Sequence, residues 1–467
     1  MNFTIQNALV PTADSYRTCD IQVANGKITA IAETLKPEGE TVDATDKLLL
    51  PGFFNAHTHS SEMWQRGAIA PLPLELWLSE LYQSPPLTPE KIYLSAIGTA
   101  VETLLSGGTS VIDHLVLEPG QELDSVAAAV RGYQEVGIRA FIAPLIQDLA
   151  EDAGLPSGAE NQPPHPGRQS AAEVLAWLET AIKRFHRPEA GINLMVGPTG
   201  IQLCTDELFQ GCLELSDRYG LCRHTHLLET KAQKMLAQEK YGCSAVEHLS
   251  QLGFLGPRTS LAHCIWLEAA DIPILAATGA SVVHNPLSNL RLGSGIAPIL
   301  QYLQAGINVT FGCDGTASND SQDILEAIKV GTLLHNTTEP DYHRWISPAQ
   351  AIAMATQGGA RAVNQADQLG KLAVGQLADL VLYDLTSLAL LPPTDPIGLL
   401  VMGRPVNAVD SAWVGGRRLV AAGQIVTTDV AQLRQQLLAQ GQWGRRSLAA
   451  ATTQLEPRYR SIIGLSD

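Results

Sequence analysis

The sequence predicts a parallel (β/α)8 TIM barrel with a small β-sandwich domain built from both chain ends. Between about residues 51 and 336, eight short apolar runs alternate with longer stretches of helical period, and glycine-containing turns separate them. Short alternating strands occur at both ends of the chain. An open doubly wound sheet is the main alternative, but it would more often begin with a glycine-rich phosphate turn, and none follows the first run.

The elements follow from these patterns in chain order. Residues 1–50 and 370–427 both contain short runs in which apolar and polar residues alternate, with hairpin signals at Asn25-Gly26 and Gly415-Gly416. Together they are expected to form the composite sandwich. Residues 51–369 are expected to form the barrel and residues 428–467 a helical C-terminal extension. Segment 154–170 is rich in proline and glycine, which predicts an exposed loop. The barrel strands are predicted at 52–57, 110–115, 139–145, 193–198, 221–228, 260–265, 281–285 and 307–314.

Composition limits the classes of partner. The 467 residues include 47 Asp plus Glu against 31 Lys plus Arg, a formal charge of −16 that disfavours nucleic acid and anionic membranes as partners. A hydrophobic content of 45% excludes a disordered chain. Seven scattered cysteines, no basic leader and no apolar run of about 18 residues predict a soluble cytoplasmic protein.

Polar residues stand where the predicted strands end. His57 and His59 are two residues apart, so on an extended strand they share one face. The predicted fifth strand ends near His226, with Glu229 three residues later. The sixth strand carries His263, and the eighth ends with Asp314. Because the carboxyl ends of barrel strands open onto one face, these side chains are expected to converge there. Imidazole and carboxylate ligands together predict a divalent-metal site.

The motifs around these residues resemble a known family. The segments PGFFNAHTHSSEMWQRG, HTHLLET, LAHCIWL, HNPLSNLRLGSGIAPI and FGCDGTASND resemble the motif series of the amidohydrolase superfamily. They are most similar to its branch of cytosine, guanine and methylthioadenosine deaminases and triazine chlorohydrolases. The resemblance implies that the metal ligands are His57, His59, His226 and Asp314. It also implies that His263 hydrogen-bonds the attacking water and that Glu229 moves protons.

The resemblance also implies the cofactor. Binuclear relatives bridge two metals with a lysine on strand four, and INLMVGPTGI contains none, so one metal is expected. Zn²⁺ is the default ion, although Fe²⁺ and Mn²⁺ accept the same ligands.

The implied activity is hydrolysis of a carbon–nitrogen bond other than a peptide bond. A metal-activated hydroxide would deaminate a small nitrogen heterocycle, such as an aminopurine or a pyrimidine. The alternatives are a triazine chlorohydrolase or alkylaminohydrolase, a cyclic amide hydrolase, and a non-catalytic barrel relative. A sugar-phosphate isomerase or lyase is disfavoured, because the acidic Asp314 stands where that class binds phosphate. Relatives of this kind are commonly homo-oligomers.

The substrate pocket is predicted from residues that follow the strands: Trp64, Gln65, Trp77, Gln147, Thr199 and Gln202. Methylthioadenosine deaminases usually carry a histidine after strand four, where this chain has Thr199-Gly200, a departure that argues against a thioadenosine substrate. The remaining histidines are assigned structural roles. His224 and His284 are expected to shape their strands, and a second group is expected on the surface or on helices: His114, His165, His186, His248, His335 and His343.

Overall fold

The computed structural model describes residues 2–156, 167–444 and 447–465, so His165 and most of the predicted loop at 154–170 lie outside the described residues. The chain begins with five strands that precede the barrel. They are β1 (Phe3–Pro11), β2 (Tyr16–Ala24), β3 (Lys27–Ala32), β4 (Glu40–Asp43) and β5 (Lys47–Pro51).

Parallel strands form the barrel, and each predicted strand is found within a few residues of its expected place. The strands are β6 (Phe53–Thr58), β7 (Gly108–Leu115), β8 (Arg139–Ile146), β9 (Ile192–Leu194), β10 (Gly197–Pro198), β11 (Arg223–Leu227), β12 (Thr259–His263), β13 (Ser281–His284) and β14 (Asn308–Phe311). The predicted fourth strand is split into β9 and β10, which both pair with β8.

Two sets of hydrogen bonds close the barrel. In one sheet β6 pairs with β7, β7 with β8, and β8 with both β9 and β10; in the other, β11 to β14 pair in chain order. His224 N donates to Val196 O at 2.9 Å and joins the two sheets on one side. Asp314 N donates to His57 O at 2.8 Å and joins them on the other. The predicted TIM barrel is therefore confirmed, and the carboxyl ends of its strands share one mouth.

Helices surround the barrel, and their apolar positions recur every three or four residues, as a one-sided buried helix requires. In the helix that follows β8, for example, Val174, Leu178, Ala181 and Ile182 are buried, and Ser170 and Glu173 form a capping box at its start. The helices up to residue 362 are α1 (Leu74–Tyr82), α2 (Pro89–Leu105), α3 (Glu122–Val136), α4 (Ala171–Phe185), α5 (Asp206–Tyr219), α6 (Lys231–Tyr241), α7 (Ala245–Gln251), α8 (Asp271–Thr278), α9 (Pro286–Arg291), α10 (Ile299–Gln304), α11 (Ile324–Leu333), α12 (Pro348–Ala353) and α13 (Gly359–Ala362).

The chain returns to the terminal sheet after the barrel. The last elements are β15 (Leu380–Asp384), α14 (Pro396–Gly398), β16 (Val409–Val414), β17 (Arg417–Ala421), β18 (Gln424–Ile425), α15 (Val430–Gln440) and α16 (Ala450–Ile463). The strand order β18-β17-β16-β15-β5-β1-β2-β3, with β4 beside β1, uses both chain ends. Phe3 and Trp413 stack across this sheet with ring centroids 5.5 Å apart. Both ends therefore build one sheet, as predicted, while the residue boundaries of the domains stay a prediction.

The helices within the described ranges are all too short or too polar to cross a bilayer.

A buried ion pair joins the barrel to the terminal sheet. Arg139, the first residue of β8, donates from Nε to Asp379 Oδ2 at 2.8 Å and from Nη2 to Oδ1 at 2.9 Å. Gly415 N donates to the same Oδ1 at 2.7 Å. Both side chains are less than a tenth exposed, so the removal of one partner leaves a desolvated charge without compensation.

We predict that Asp379→Ala lowers the free energy of unfolding by about 3–5 kcal/mol, as measured by urea unfolding followed by circular dichroism. The matched control is Glu90→Ala, which removes the exposed partner of Arg131 and should cost about 0–1 kcal/mol. Equal shifts for the two variants would contradict a stabilising role for this contact.

Candidate active site

His57 and His59 extend from the end of β6 into the barrel mouth. Both are buried, at 0% and 6% exposure. Their Nε2 atoms lie 3.4 Å and 3.5 Å from the same oxygen, Oδ1 of Asp314. Two imidazoles and a carboxylate thus meet at one point, as the two-residue spacing predicts.

His226 completes this group from β11. Its Nε2 lies 3.2 Å from Nε2 of His59. The Nδ1 atom of each ring contacts a carbonyl oxygen: His59 Nδ1 lies 2.6 Å from His114 O, and His226 Nδ1 lies 2.7 Å from Thr199 O. A carbonyl accepts, so each Nδ1 carries the ring proton and each Nε2 of a neutral ring presents a lone pair. Two lone pairs at this distance repel each other unless a cation lies between them.

The electrostatics also match a cation site. Burial lowers the pKa of His57 to about 4, opposed by Asp314, and burial together with the neighbouring His114 lowers the pKa of His226 well below its usual range. Burial alone would raise the pKa of Asp314, but the imidazoles of His57, His263 and His59 hold it well below its usual range. Neutral imidazoles and an ionised carboxylate are the forms that bind metal.

A hydrogen-bond relay sets the tautomer of His57. His57 Nδ1 lies 2.7 Å from His224 Nε2, His224 Nδ1 lies 2.7 Å from Ser260 Oγ, and the Ser260 hydroxyl donates to Arg223 O at 3.3 Å. Because the hydroxyl proton points to a carbonyl, Ser260 Oγ accepts from His224, and His224 then accepts from His57. The Nε2 of His57, which has no hydrogen-bond partner within the described part of the chain, is left as a free lone pair. His224 therefore orients the ring of His57.

His114 is placed differently from the prediction. It was expected on the surface or on a helix, but it lies on β7 with 0% exposure. Its ring stacks on His226 with centroids 4.8 Å apart, and ligand atoms of His57, His114 and His226 lie within 4.8 Å of one another. The physical reason is that β7 ends at the same mouth as β6. Asp113-His114 at the end of an apolar strand was the signal in the sequence.

His263 lies between two buried carboxyl groups. Its Nε2 is 3.6 Å from Glu229 Oε2 and 3.6 Å from Asp314 Oδ2, and its Nδ1 is 2.9 Å from Asn289 Oδ1. Burial, with Asp314 and Glu75 nearby, raises the pKa of Glu229 well above its usual range. The pKa values of the two carboxyl groups flanking His263 are thus shifted in opposite directions, an arrangement suited to proton transfer.

A cavity of about 960 Å³ opens from these residues. It is lined by five of the six predicted pocket residues: Gln65, Trp77, Gln147, Thr199 and Gln202. Trp64 is not among the described lining residues. Its Nε1 donates to Lys91 O at 3.1 Å and the Lys91 ammonium lies 4.8 Å from its ring centroid, so this residue packs against α2 instead.

Three buried polar atoms on the cavity wall have no hydrogen-bond partner among the described residues. They are Oε1 of Gln65, Nε1 of Trp77 and Oε2 of Glu62. Sequence reasoning missed Glu62, whose pKa burial raises to about 7, partly offset by His59. Its place just after the His57–His59 pair was the available signal. Unpaired buried polar groups are costly, so this wall is suited to a ligand that supplies donors and an acceptor.

The fold and the site together define a barrel enzyme with a histidine-rich metal site. The Amidohydrolase family matches residues 48–419. The chain is 33% identical to the 5′-deoxyadenosine deaminase of Methanosarcina barkeri, over 91% of this chain and 94% of that protein. It is 32% identical to the 5-methylthioadenosine/S-adenosylhomocysteine deaminase of Desulforudis audaxviator, over 92% and 96%. The chain belongs to the amidohydrolase family, as its motifs predicted.

Solved structures show the same fold with zinc. The atrazine chlorohydrolase of Arthrobacter aurescens TC1 complexed with zinc superposes with a TM-score of 0.85 at 26% identity, over 93% of this chain and 99% of that one. An adenosine deaminase from Xanthomonas campestris with bound zinc superposes with a TM-score of 0.83 at 25% identity, over 98% of both chains.

We predict that His224→Leu weakens zinc binding about 10–100-fold, because the tautomer of His57 is no longer fixed. His224→Gln should retain most of the affinity, since its amide oxygen can accept from His57 while its amide nitrogen donates to Ser260. Competition with a chromophoric chelator measures both constants. Equal affinity in the leucine variant and the wild type would show that the relay does not support the ligand.

Proposed function

We propose that this protein is a zinc-dependent deaminase of aminopurine nucleosides that holds a single cation. The observation that carries the proposal is geometric: the buried carboxyl groups of Glu229 and Asp314 both lie 3.6 Å from Nε2 of His263, beside the cluster of His57, His59 and His226. The two deaminase relatives at 32–33% identity support the substrate class. The absence of the usual histidine at Thr199-Gly200 argued against a thioadenosine substrate. The likeness to these deaminases over nine-tenths of the chain outweighs that single difference.

The chain's own residues account for the steps. His57, His59, His226 and Asp314 would hold the cation, and the bound cation would supply Lewis acidity, which lowers the pKa of water toward ~7 in favourable zinc sites. Asp314 accepts the proton that the attacking water loses, and His263 orients that water. Glu229 donates its proton to the purine ring nitrogen as the adjacent carbon becomes tetrahedral. The amino group then takes the proton held by Asp314 and leaves as ammonia, while the new hydroxyl group returns a proton to Glu229 as the carbonyl forms.

One cation suffices in this proposal. The β9–β10 segment, where binuclear relatives place a bridging lysine, contains no lysine. His114 lies beside the ligands, but its Nε2 is 3.0 Å from Gly197 O, which supports a role in packing and in the carbonyl contact to His59.

Hydrolysis of a triazine is the second candidate. The triazine hydrolase structures superpose with TM-scores near 0.85, and the same residues could displace chloride. The nucleoside is favoured because the relatives with higher sequence identity are nucleoside deaminases.

We expect the zinc-loaded protein to release ammonia from 5′-deoxyadenosine and 5′-methylthioadenosine, as measured by a coupled ammonia assay. Glu229→Gln should lower kcat by about 10²–10⁴-fold while zinc content stays at one per chain, because Glu229 moves protons without binding the cation. The matched control is Glu214→Gln on an exposed position of α5. Full activity in the Glu229 variant, or chloride release from atrazine in place of ammonia, would contradict the proposal.

We also predict that chelation removes both activity and stability. Zinc binds only the folded site, so free zinc at a thousand times its dissociation constant stabilises the fold by about 4 kcal/mol, and chelation lowers the melting temperature accordingly. Added zinc should restore both. Asp314→Asn should be inactive and gain much less from zinc. A melting temperature that is insensitive to chelation would contradict a bound cation at these residues.

A further inference from the structure

We propose that the C-terminal helix α16 forms the outer wall of the substrate cavity and selects for an uncharged, apolar substituent on the heterocycle. This inference rests on the proposed deaminase function and deepens it. The helix lies beyond the span of residues 48–419 that matches the family, so its role has to be inferred from its contacts.

Hydrogen bonds hold α16 against the barrel mouth. Ala449 N, at the start of the helix, donates to Glu80 Oε1 at 2.8 Å, and Thr452 Oγ1 donates to Ser79 Oγ at 3.1 Å. Arg458 Nη2 donates to Pro156 O at 3.0 Å, in the segment that follows β8. Thr452 is only 2% exposed. The extension is therefore packed on α1 and on a loop of the barrel mouth.

The helix α1 lies between α16 and the catalytic residues. On one side its Ser79 and Glu80 bond to α16. On the other side its Glu75 accepts from Thr230 Oγ1 at 2.5 Å, next to Glu229. Leu74, Leu78 and Leu81, spaced by three or four residues, line the cavity. α16 thus supports the helix that carries much of the cavity wall.

α16 also contributes its own side chains to the wall. Ala451, Leu455 and Arg458 line the same cavity as Glu229 and Asp314. Its volume of about 960 Å³ is near the top of the range for small-molecule sites, about 300–1,000 Å³. Space of this size admits a heterocycle with a substituent that extends from the metal site toward α16.

The lining defines the chemistry of that substituent. Leucines recur between the catalytic residues and α16: Leu78, Leu81, Leu149, Leu155, Leu203 and Leu455. Among the described lining residues, carboxylates outnumber the two arginines, Arg168 and Arg458. The carboxylates, apart from Glu229 and Asp314, are Glu62, Glu75, Glu118, Glu122 and Glu151. An apolar, net acidic wall favours an alkyl, deoxy or thioether group and disfavours a phosphate.

Filling the space at Ala451 tests the inference. Ala451→Trp should lower kcat/KM for 5′-methylthioadenosine about 10–200-fold relative to adenosine, the usual effect of pocket contacts on an apolar group. The loss should reside in KM with kcat nearly unchanged, since the contact is equal in ground and transition states. Gln454→Trp, at an exposed position of the same helix outside the lining, is the matched control and should leave the ratio unchanged.

The outcomes separate the two proposals. A wild-type protein that deaminates neither nucleoside overturns the proposed function. A wild-type protein that is active, with a variant that lowers kcat/KM equally for both nucleosides or for neither, overturns the role of α16 alone. Efficient deamination of adenosine 5′-phosphate by the wild type also overturns it. If melting curves show that the tryptophan variant is unfolded, Ala451→Leu provides the same comparison with a smaller side chain.

Discussion

The structure depends on the convergence of three imidazole lone pairs and one carboxylate at the barrel mouth. Contacts at Nδ1 orient each of these rings: the Nδ1 atoms of His59 and His226 contact main-chain carbonyls of neighbouring strands, and Nδ1 of His57 contacts His224. The register of the strands therefore sets the direction of every Nε2. Lone pairs this close repel one another, and a cation bound between them would turn the repulsion into attraction. Part of the free energy of metal binding would therefore come from relief of this repulsion.

Local backbone strain accompanies this convergence. His263 and Asp314 adopt positive φ angles of 73° and 66°, a region that costs non-glycine residues about 1–3 kcal/mol. Gly312 permits the close approach of β14 to β6, because a Cβ there would lie 2.8 Å from that of His57. These positions turn polar side chains inward at the ends of strands that are otherwise apolar, so packing and hydrogen bonds elsewhere must offset the strain.

Much of the fold and the convergence of His57, His59, His226 and Asp314 could be predicted because both follow local rules. The alternation of short apolar runs with stretches of helical period located the barrel strands, and a two-residue spacing placed His57 and His59 on one face. The predictions failed where a side chain's direction or a contact between distant parts of the chain decides the outcome. Trp64 faces α2 because a 3-10 helix at Ser60–Gln65 turns it away. For His114 the only signal was the pair Asp113-His114 at the end of β7, without the two-residue spacing of histidines seen at His57 and His59. The wall formed by α16 depends on contacts between residues about 370 positions apart, which no local pattern reveals.

The most direct test of this account is anomalous X-ray diffraction at the zinc edge from crystals of the zinc-loaded protein. We expect one anomalous peak per chain, within bonding distance of Nε2 of His57, His59 and His226 and of a carboxylate oxygen of Asp314. A peak at any other position, two peaks in the mouth, or none after saturation with zinc would contradict the central claim that these lone pairs are arranged around a single cation.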